Sequence, residues 1–119
     1  MSEQLIRMLN FIKILNDEFS DIVTDVDLHS DRLKITLIDN SWIEIRYPIK
    51  HKFSFHWQRG NRIYRLDTAP HHKYLKTYPR HIHFETEDNV IEDFITKAGD
   101  EPEDDFRNFM KWVRKQLMR

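Results

Sequence analysis

Histidine is concentrated in one third of the chain. Six of the seven histidines lie between residues 51 and 83. Imidazole titrates near neutral pH, so it can accept or donate a proton in catalysis, and it is a common ligand of transition metals. Most of the group falls in three short segments, which read His-Trp-Gln at 56–58, Arg-Leu-Asp-Thr-Ala-Pro-His-His at 65–72 and Pro-Arg-His-Ile-His at 79–83. This density predicts that the functional site lies here.

One interpretation is acid–base cleavage of RNA. Attack by a ribose 2′-hydroxyl needs a base for its proton, an acid for the leaving 5′-oxygen and a cation for the phosphate. We expect Arg65 to bind phosphate, Asp67 to orient an imidazole and His56 to support them. The expected proton carriers are His71, His72, His81 and His83. The leading hypothesis is therefore a metal-independent endoribonuclease without a cofactor.

The same side chains could instead bind a metal. His81 and His83 are two residues apart, which places both side chains on one face of a strand. Asp67, together with His71 or His72, would complete the coordination sphere of zinc or manganese. The chain would then be a metal-dependent nuclease or phosphotransferase.

In a third interpretation the chain is not an enzyme. The histidines would cap turns or bind backbone groups, and the basic region would only grip a nucleic acid or a protein partner. Intact RNA in the presence of salt-sensitive binding would distinguish this module from both enzymes.

Charge is segregated along the chain, although the formal net charge is only −1. Residues 50–83 contain eight lysines and arginines and one aspartate, whereas residues 85–105 contain ten acidic residues and one lysine. A basic region of this kind is typical of a surface that faces a polyanion. The cations expected to guide an RNA backbone are Arg59, Arg62, Lys73, Lys76 and Arg80.

Composition indicates one domain with a packed core. The chain has 119 residues, of which 39% are hydrophobic, and this is enough for a single core. The lack of cysteine excludes disulfides and thiolate metal sites. No apolar run reaches the roughly 18 residues of a membrane span, and the first residues do not resemble a signal peptide. We therefore expect a cytoplasmic protein with no membrane contact.

Hydrophobic periodicity predicts the elements that position the site. Helical spacing over residues 1–20 predicts a helix, and alternation over residues 22–84 predicts five or six antiparallel strands. A two-residue turn at Gly60 and Asn61 would place His56 opposite Arg65, because the other register would bury a charge. Trp42 fits a core position on its strand.

The last part of the chain, residues 88–119, is predicted to be an acidic linker and C-terminal helices. Apolar spacing over 90–98 favours a short helix that stops at Gly99. A second helix begins near Pro102, with acidic residues in its first turn and basic residues in its last. The predicted architecture is α+β, an antiparallel meander of five or six strands flanked by an N-terminal helix and C-terminal helices.

The three histidine segments carry a resemblance. The stretch from Phe53 to His83 resembles the TumE family of toxins, whose segments read Tyr/Phe-x-His-Trp-Gln, Arg-x-Asp-x-Ala-Pro-His-His and Pro-x-His-x-His. The resemblance implies the toxin of a type II toxin–antitoxin pair, encoded beside a cognate antitoxin that usually carries a helix-turn-helix DNA-binding part. It implies no settled mechanism, so the ribonuclease hypothesis comes from the residues. The segment 85–119 departs most from the family, and it could dock the antitoxin, self-associate as a homodimer or shield the basic face.

Overall fold

A computed structural model describes all 119 residues, as two helices and seven strands. The helices are α1 (Glu3–Glu18) and α2 (Pro102–Leu117). The strands are β1 (Val23–His29), β2 (Arg32–Leu37), β3 (Trp42–Ile49), β4 (Lys52–Arg59), β5 (Arg62–Asp67), β6 (His81–Glu85) and β7 (Val90–Glu92). Neither helix is long and apolar enough to cross a bilayer.

Every strand pairs antiparallel with the next one along the chain, so the sheet order is β1 to β7 without a crossover. The predicted α+β meander is confirmed, with seven strands rather than five or six. The predicted register of the β4–β5 hairpin is also confirmed, since His56 pairs with Arg65 and Arg59 pairs with Arg62 across the turn. Gly60 in that turn has a φ of 59°, a left-handed conformation that glycine adopts without strain.

The prediction of a helix over residues 90–98 is wrong. Val90, Ile91 and Glu92 form β7 instead, paired with the outer edge of β6. The open edge of β6 needs hydrogen-bond partners, and these three residues supply them. Beyond β7, the carboxylate of Asp93 accepts the backbone N–H groups of residues 95 and 96 at 2.8 and 3.0 Å, which holds the chain in a loop. Only one helix, α2, therefore follows the sheet.

Both helices pack on one face of the sheet. The rings of Phe11 in α1 and Phe106 in α2 stack with centroids 4.4 Å apart, and Phe55 of β4 lies 5.2 Å from Phe109. All four side chains are buried. Burying a side chain of this size contributes about 1.5–3 kcal/mol, so this face supplies the core. The alternate residues of the strands form the other face, which no helix covers; we call it the open face.

Trp42 belongs to the open face rather than to the core, which corrects the sequence prediction. Its strand neighbour Ile43 is fully buried, and alternation places Trp42 on the opposite side. Its ring lies 5.6 Å from that of His56, and the ammonium of Lys34 lies 5.2 Å from the ring. An aromatic surface therefore stands next to the histidine-bearing strands.

A buried polar group connects β6 to α2. Asp105 is fully buried, and it accepts hydrogen bonds from Arg80 Nη1 at 3.0 Å and from the hydroxyl of Tyr47 at 2.9 Å. Burial raises the pKa of Asp105, while the bonds from Arg80 and Tyr47 act in the opposite direction. Burial and the adjacent carboxylate also raise the pKa of Tyr47. These contacts hold the start of β6 against the last helix.

Candidate active site

Two neighbouring strands supply most of the site. Arg65 and Asp67 lie on β5, and they pair with His83 and His81 on β6. Because side chains two residues apart on a strand point to the same side, all four side chains lie on the open face. Each of these four residues is among those predicted for the site, and the register brings them together.

Asp67 and the two strand histidines are in direct contact. Asp67 Oδ1 lies 3.1 Å from His81 Nε2, and Asp67 Oδ2 lies 3.6 Å from His83 Nε2. The two Nε2 atoms are 3.2 Å apart. The exposed fractions of His81, His83 and Asp67 are only 1%, 8% and 7%. Polar groups buried to this extent require partners, and here they are partners of one another.

His72 joins them from the loop between β5 and β6. Its ring centroid lies 5.0 Å from that of His81 and 6.1 Å from that of His83. One nitrogen of each imidazole lies within 4.8 Å of the others. His72 has a φ of 61°, which costs a non-glycine residue about 1 kcal/mol, so the surrounding loop must hold it there. We call Asp67, His72, His81 and His83 the histidine cluster.

Backbone carbonyls orient the two buried imidazoles. His81 Nδ1 donates to the carbonyl of Pro79 at 3.0 Å, and His83 Nδ1 donates to that of Glu87 at 2.8 Å. A carbonyl can only accept a hydrogen bond, so both Nδ1 atoms carry a proton. In the neutral rings each Nε2 therefore presents a lone pair to the interior of the cluster.

Arg65 is engaged by two carboxylates. Its Nε donates to Asp67 Oδ2 at 3.2 Å, and its two terminal nitrogens donate to Glu87 at 2.6 Å each. The bonds to Arg65 lower the pKa of Glu87, and the same contact raises the pKa of Arg65. Glu87 is not among the residues predicted for the site, because in the sequence it is one of many acidic residues in the region 85–105. The available signal was its place four residues after His83, in the tight turn that follows β6.

Two predicted residues lie outside the cluster. His71 is exposed, and its ring is 6.2 Å from that of His72, so His72 rather than His71 joins the other imidazoles. His56 lies beside Arg65 on β4, with Nε2 2.9 Å from Gln58 Oε1. Both stand at the rim of the site.

The predicted RNA-guiding cations are divided between the surface and the interior. Lys73, Lys76 and Arg62 are exposed, and Arg59 is partly engaged by Asp39 at 3.1 Å. Arg80 was expected to contact RNA, but it is only 4% exposed and pairs with Asp105. That expectation is wrong, because Arg80 directly precedes β6 and its side chain lies on the helix-covered side, against Asp105 of α2, whereas His81 lies on the open face.

The fold and the site define a small α+β protein with a histidine–carboxylate centre on the open face of a meander sheet. The family model described as Toxin TumE matches residues 11–117. The chain therefore belongs to the TumE toxin family, and membership of a toxin family implies an antitoxin partner. Because the match includes α2, the C-terminal segment is part of the family's domain rather than an addition to it. Comparisons with curated proteins and with solved structures gave no match.

Proposed function

We propose that this toxin cleaves RNA, and that the histidine cluster is its reactive centre. The observation that carries the proposal is the convergence of three imidazoles and a carboxylate on the one face of the sheet that no helix covers. Cleavage at a ribose needs groups that exchange protons near neutral pH, and imidazoles are the side chains suited to this.

The cost of the cluster supports a functional role. The buried polar groups of the cluster must each be given a partner, and His72 also adopts a left-handed backbone conformation that costs about 1 kcal/mol. The open face could be built from ordinary exposed polar residues, as it is at Arg32 and Lys34 of β2. Residues held in strained backbone conformations, as His72 is, concentrate at functional sites.

Each residue has a defined part in the proposed reaction. The cluster takes the proton of the 2′-hydroxyl, whose oxygen then attacks phosphorus. Arg65 binds the phosphate oxygens, and His71 at the rim gives a proton to the 5′-oxygen as the P–O5′ bond breaks. His56 supports Arg65 from the neighbouring strand. The products are a 2′,3′-cyclic phosphate and a 5′-hydroxyl.

The surrounding cations would guide the substrate. Lys73 and Lys76 are exposed on the loop that carries His72, and Arg59 and Arg62 flank the β4–β5 turn. Contacts between such cations and phosphates position a nucleic acid without reading its sequence. The proposed partner that restrains the toxin is a cognate antitoxin of the helix-turn-helix type.

One pair of variants tests the proposal. His72→Asn removes the imidazole but keeps a residue that tolerates a left-handed backbone. His51→Asn is the matched control, because His51 is exposed, has a φ of 68° and lies in the β3–β4 turn. We expect His72→Asn to abolish growth arrest and to lower RNA cleavage at least about 100-fold, with His51→Asn unchanged.

Two results would contradict the proposal. If His72→Asn stays as toxic as the parent, the cluster is not the reactive centre. If RNA remains intact during prolonged incubation with the purified toxin but binds it in a salt-sensitive way, the chain is a binding module instead.

A further inference from the structure

The histidine cluster holds more electron-pair donors than its own protons can satisfy. The Nδ1 protons of His81 and His83 point outward to the carbonyls of residues 79 and 87. Their Nε2 lone pairs face each other at 3.2 Å, beside the carboxylate of Asp67. A single bridging proton would join only one pair of these atoms, whereas a metal cation placed among them would accept electron pairs from all of them.

We infer that the histidine cluster binds one divalent cation of the zinc class, with His72, His81 and His83 as ligands and Asp67 beside the fourth position. Imidazole nitrogen is a preferred ligand of zinc, and three histidines with one open position form a typical catalytic zinc site. Bonds of about 2.0–2.1 Å in tetrahedral geometry place neighbouring ligand atoms roughly 3.3 Å apart. The separation of 3.2 Å between the Nε2 atoms of His81 and His83 is close to this value, and a ring nitrogen of His72 lies within 4.8 Å of both histidines' ligand atoms.

The groups around the cluster also suit a metal. Histidine ligands usually donate their second N–H to a carbonyl or carboxylate, which fixes the ring and its tautomer. His81 and His83 both do so. Asp67 is fixed as an acceptor by the N–H of Ala69 at 2.9 Å and by Arg65 Nε at 3.2 Å. His81, His83 and Asp67 are therefore already oriented before a cation arrives.

The catalytic part of this inference rests on the proposed function, whereas the binding of the cation does not. A zinc-class cation lowers the pKa of a bound water to about 7, so hydroxide becomes available at neutral pH. That hydroxide would take the proton of the 2′-hydroxyl and become water, while His71 still supplies the proton for the 5′-oxygen. The geometry thus favours the metal-dependent hypothesis over the metal-independent one, and of the two alternatives His71 and His72 it favours His72 as the ligand.

Metal binding is tested with the full chain and with Zn²⁺ and Co²⁺ as probes. We expect the protein stripped with chelator to take up one equivalent of either ion, and bound Co²⁺ to show the visible absorption of tetrahedral coordination. His72→Asn should weaken uptake by more than about 100-fold, since the loss of even an outer-sphere partner costs 10- to 100-fold. His51→Asn, with the same substitution in the same backbone conformation, should keep the affinity of the parent.

The outcomes separate this inference from the proposed function. No stoichiometric uptake by the parent protein, or uptake that His72→Asn leaves unchanged, overturns the metal site. RNA cleavage that persists in excess chelator, from a protein that binds no metal, overturns the site and leaves the proposed ribonuclease intact. Uptake of one equivalent without any RNA cleavage supports the site and contradicts the proposed ribonuclease.

Discussion

The carboxylate of Glu87 lies across the guanidinium of Arg65, and each of its oxygens accepts an N–H at 2.6 Å. A phosphate would use the same two donors, because two of its oxygens match the guanidinium fork in the same way. Glu87 therefore occupies the position that the proposed function assigns to RNA. Substrate must displace this carboxylate before Arg65 can bind phosphate.

Removing the charge of Glu87 should strengthen RNA binding. In a His72→Asn background, which prevents cleavage, we expect Glu87→Gln to lower the dissociation constant of a short RNA about tenfold, because the amide offers Arg65 one neutral acceptor oxygen in place of two charged ones. Fluorescence anisotropy at fixed salt measures the effect. Asp88→Asn is the matched control, since Asp88 is exposed and makes no ion pair. If both variants gain the same affinity for RNA, the effect comes from the change in net charge and not from easier displacement of residue 87.

The same ion pair should make stability depend on pH. The hydrogen bond from Arg65 lowers the pKa of Glu87 below 4.5, its value in the unfolded chain. A lowered carboxyl pKa adds stability that is present above pH 4.5 and is lost as the pH falls through the folded pKa. We expect Glu87→Gln to cost about 0.5–1 kcal/mol at pH 7 and nothing in strong acid. Urea unfolding of the parent and of Glu87→Gln over this pH range measures the difference in their free energy of unfolding. A difference that does not change with pH would contradict the prediction.

Breaking the buried pair between Arg80 and Asp105 should be far more damaging. Arg80 is 4% exposed and Asp105 is fully buried, so Asp105→Ala leaves a buried cation without a counter-charge. We expect the free energy of unfolding to fall by about 3–5 kcal/mol. Asp104→Ala, one residue earlier on the exposed side of α2, should change it by less than about 0.5 kcal/mol. Similar losses in the two variants would show that the pair is unimportant.

Lys73 and Lys76 should contribute to RNA binding through counterion release alone. Each Lys→Gln change is expected to reduce the slope of log affinity against log salt by about 1, equally for unrelated RNA sequences. Lys111→Gln is the control, because Lys111 is exposed on α2, one of the two helices that pack on the other face of the sheet. Titrations at four salt concentrations give the slopes. An unchanged slope in the loop variants would remove both lysines from the proposed interface.

Local patterns were sufficient to predict most of the fold. The alternation along β4 and β5, together with a two-residue turn, determined which residues pair, and so it placed His56 beside Arg65. The same reasoning gave the wrong element for the short segment 90–92. Its apolar spacing suits a helix, and only the unpaired edge of β6, a tertiary feature, makes it a strand.

The site residues on the strands could be predicted from the sequence, whereas the one on the loop could not. His81, His83, Arg65 and Asp67 follow from alternation and register. The choice between His71 and His72 depends on a left-handed backbone at His72, which no spacing rule reveals. The opposite roles of Arg80 and its neighbour His81 depend on where β6 begins, and the boundary of an element is the part of a sequence prediction with the largest error.

Helix α2 is synthesised after every strand of the sheet, and the sheet cannot close its core without it. Until residues 102–117 have been made, Phe55 lacks its contact with Phe109, and Arg80 is a cation with no counter-charge. Because Arg80 directly precedes His81, the position of β6, which carries two imidazoles of the cluster, depends on the synthesis of α2. A nascent or truncated chain should therefore be harmless, so the cell's exposure to the toxin begins only when translation has passed through this helix.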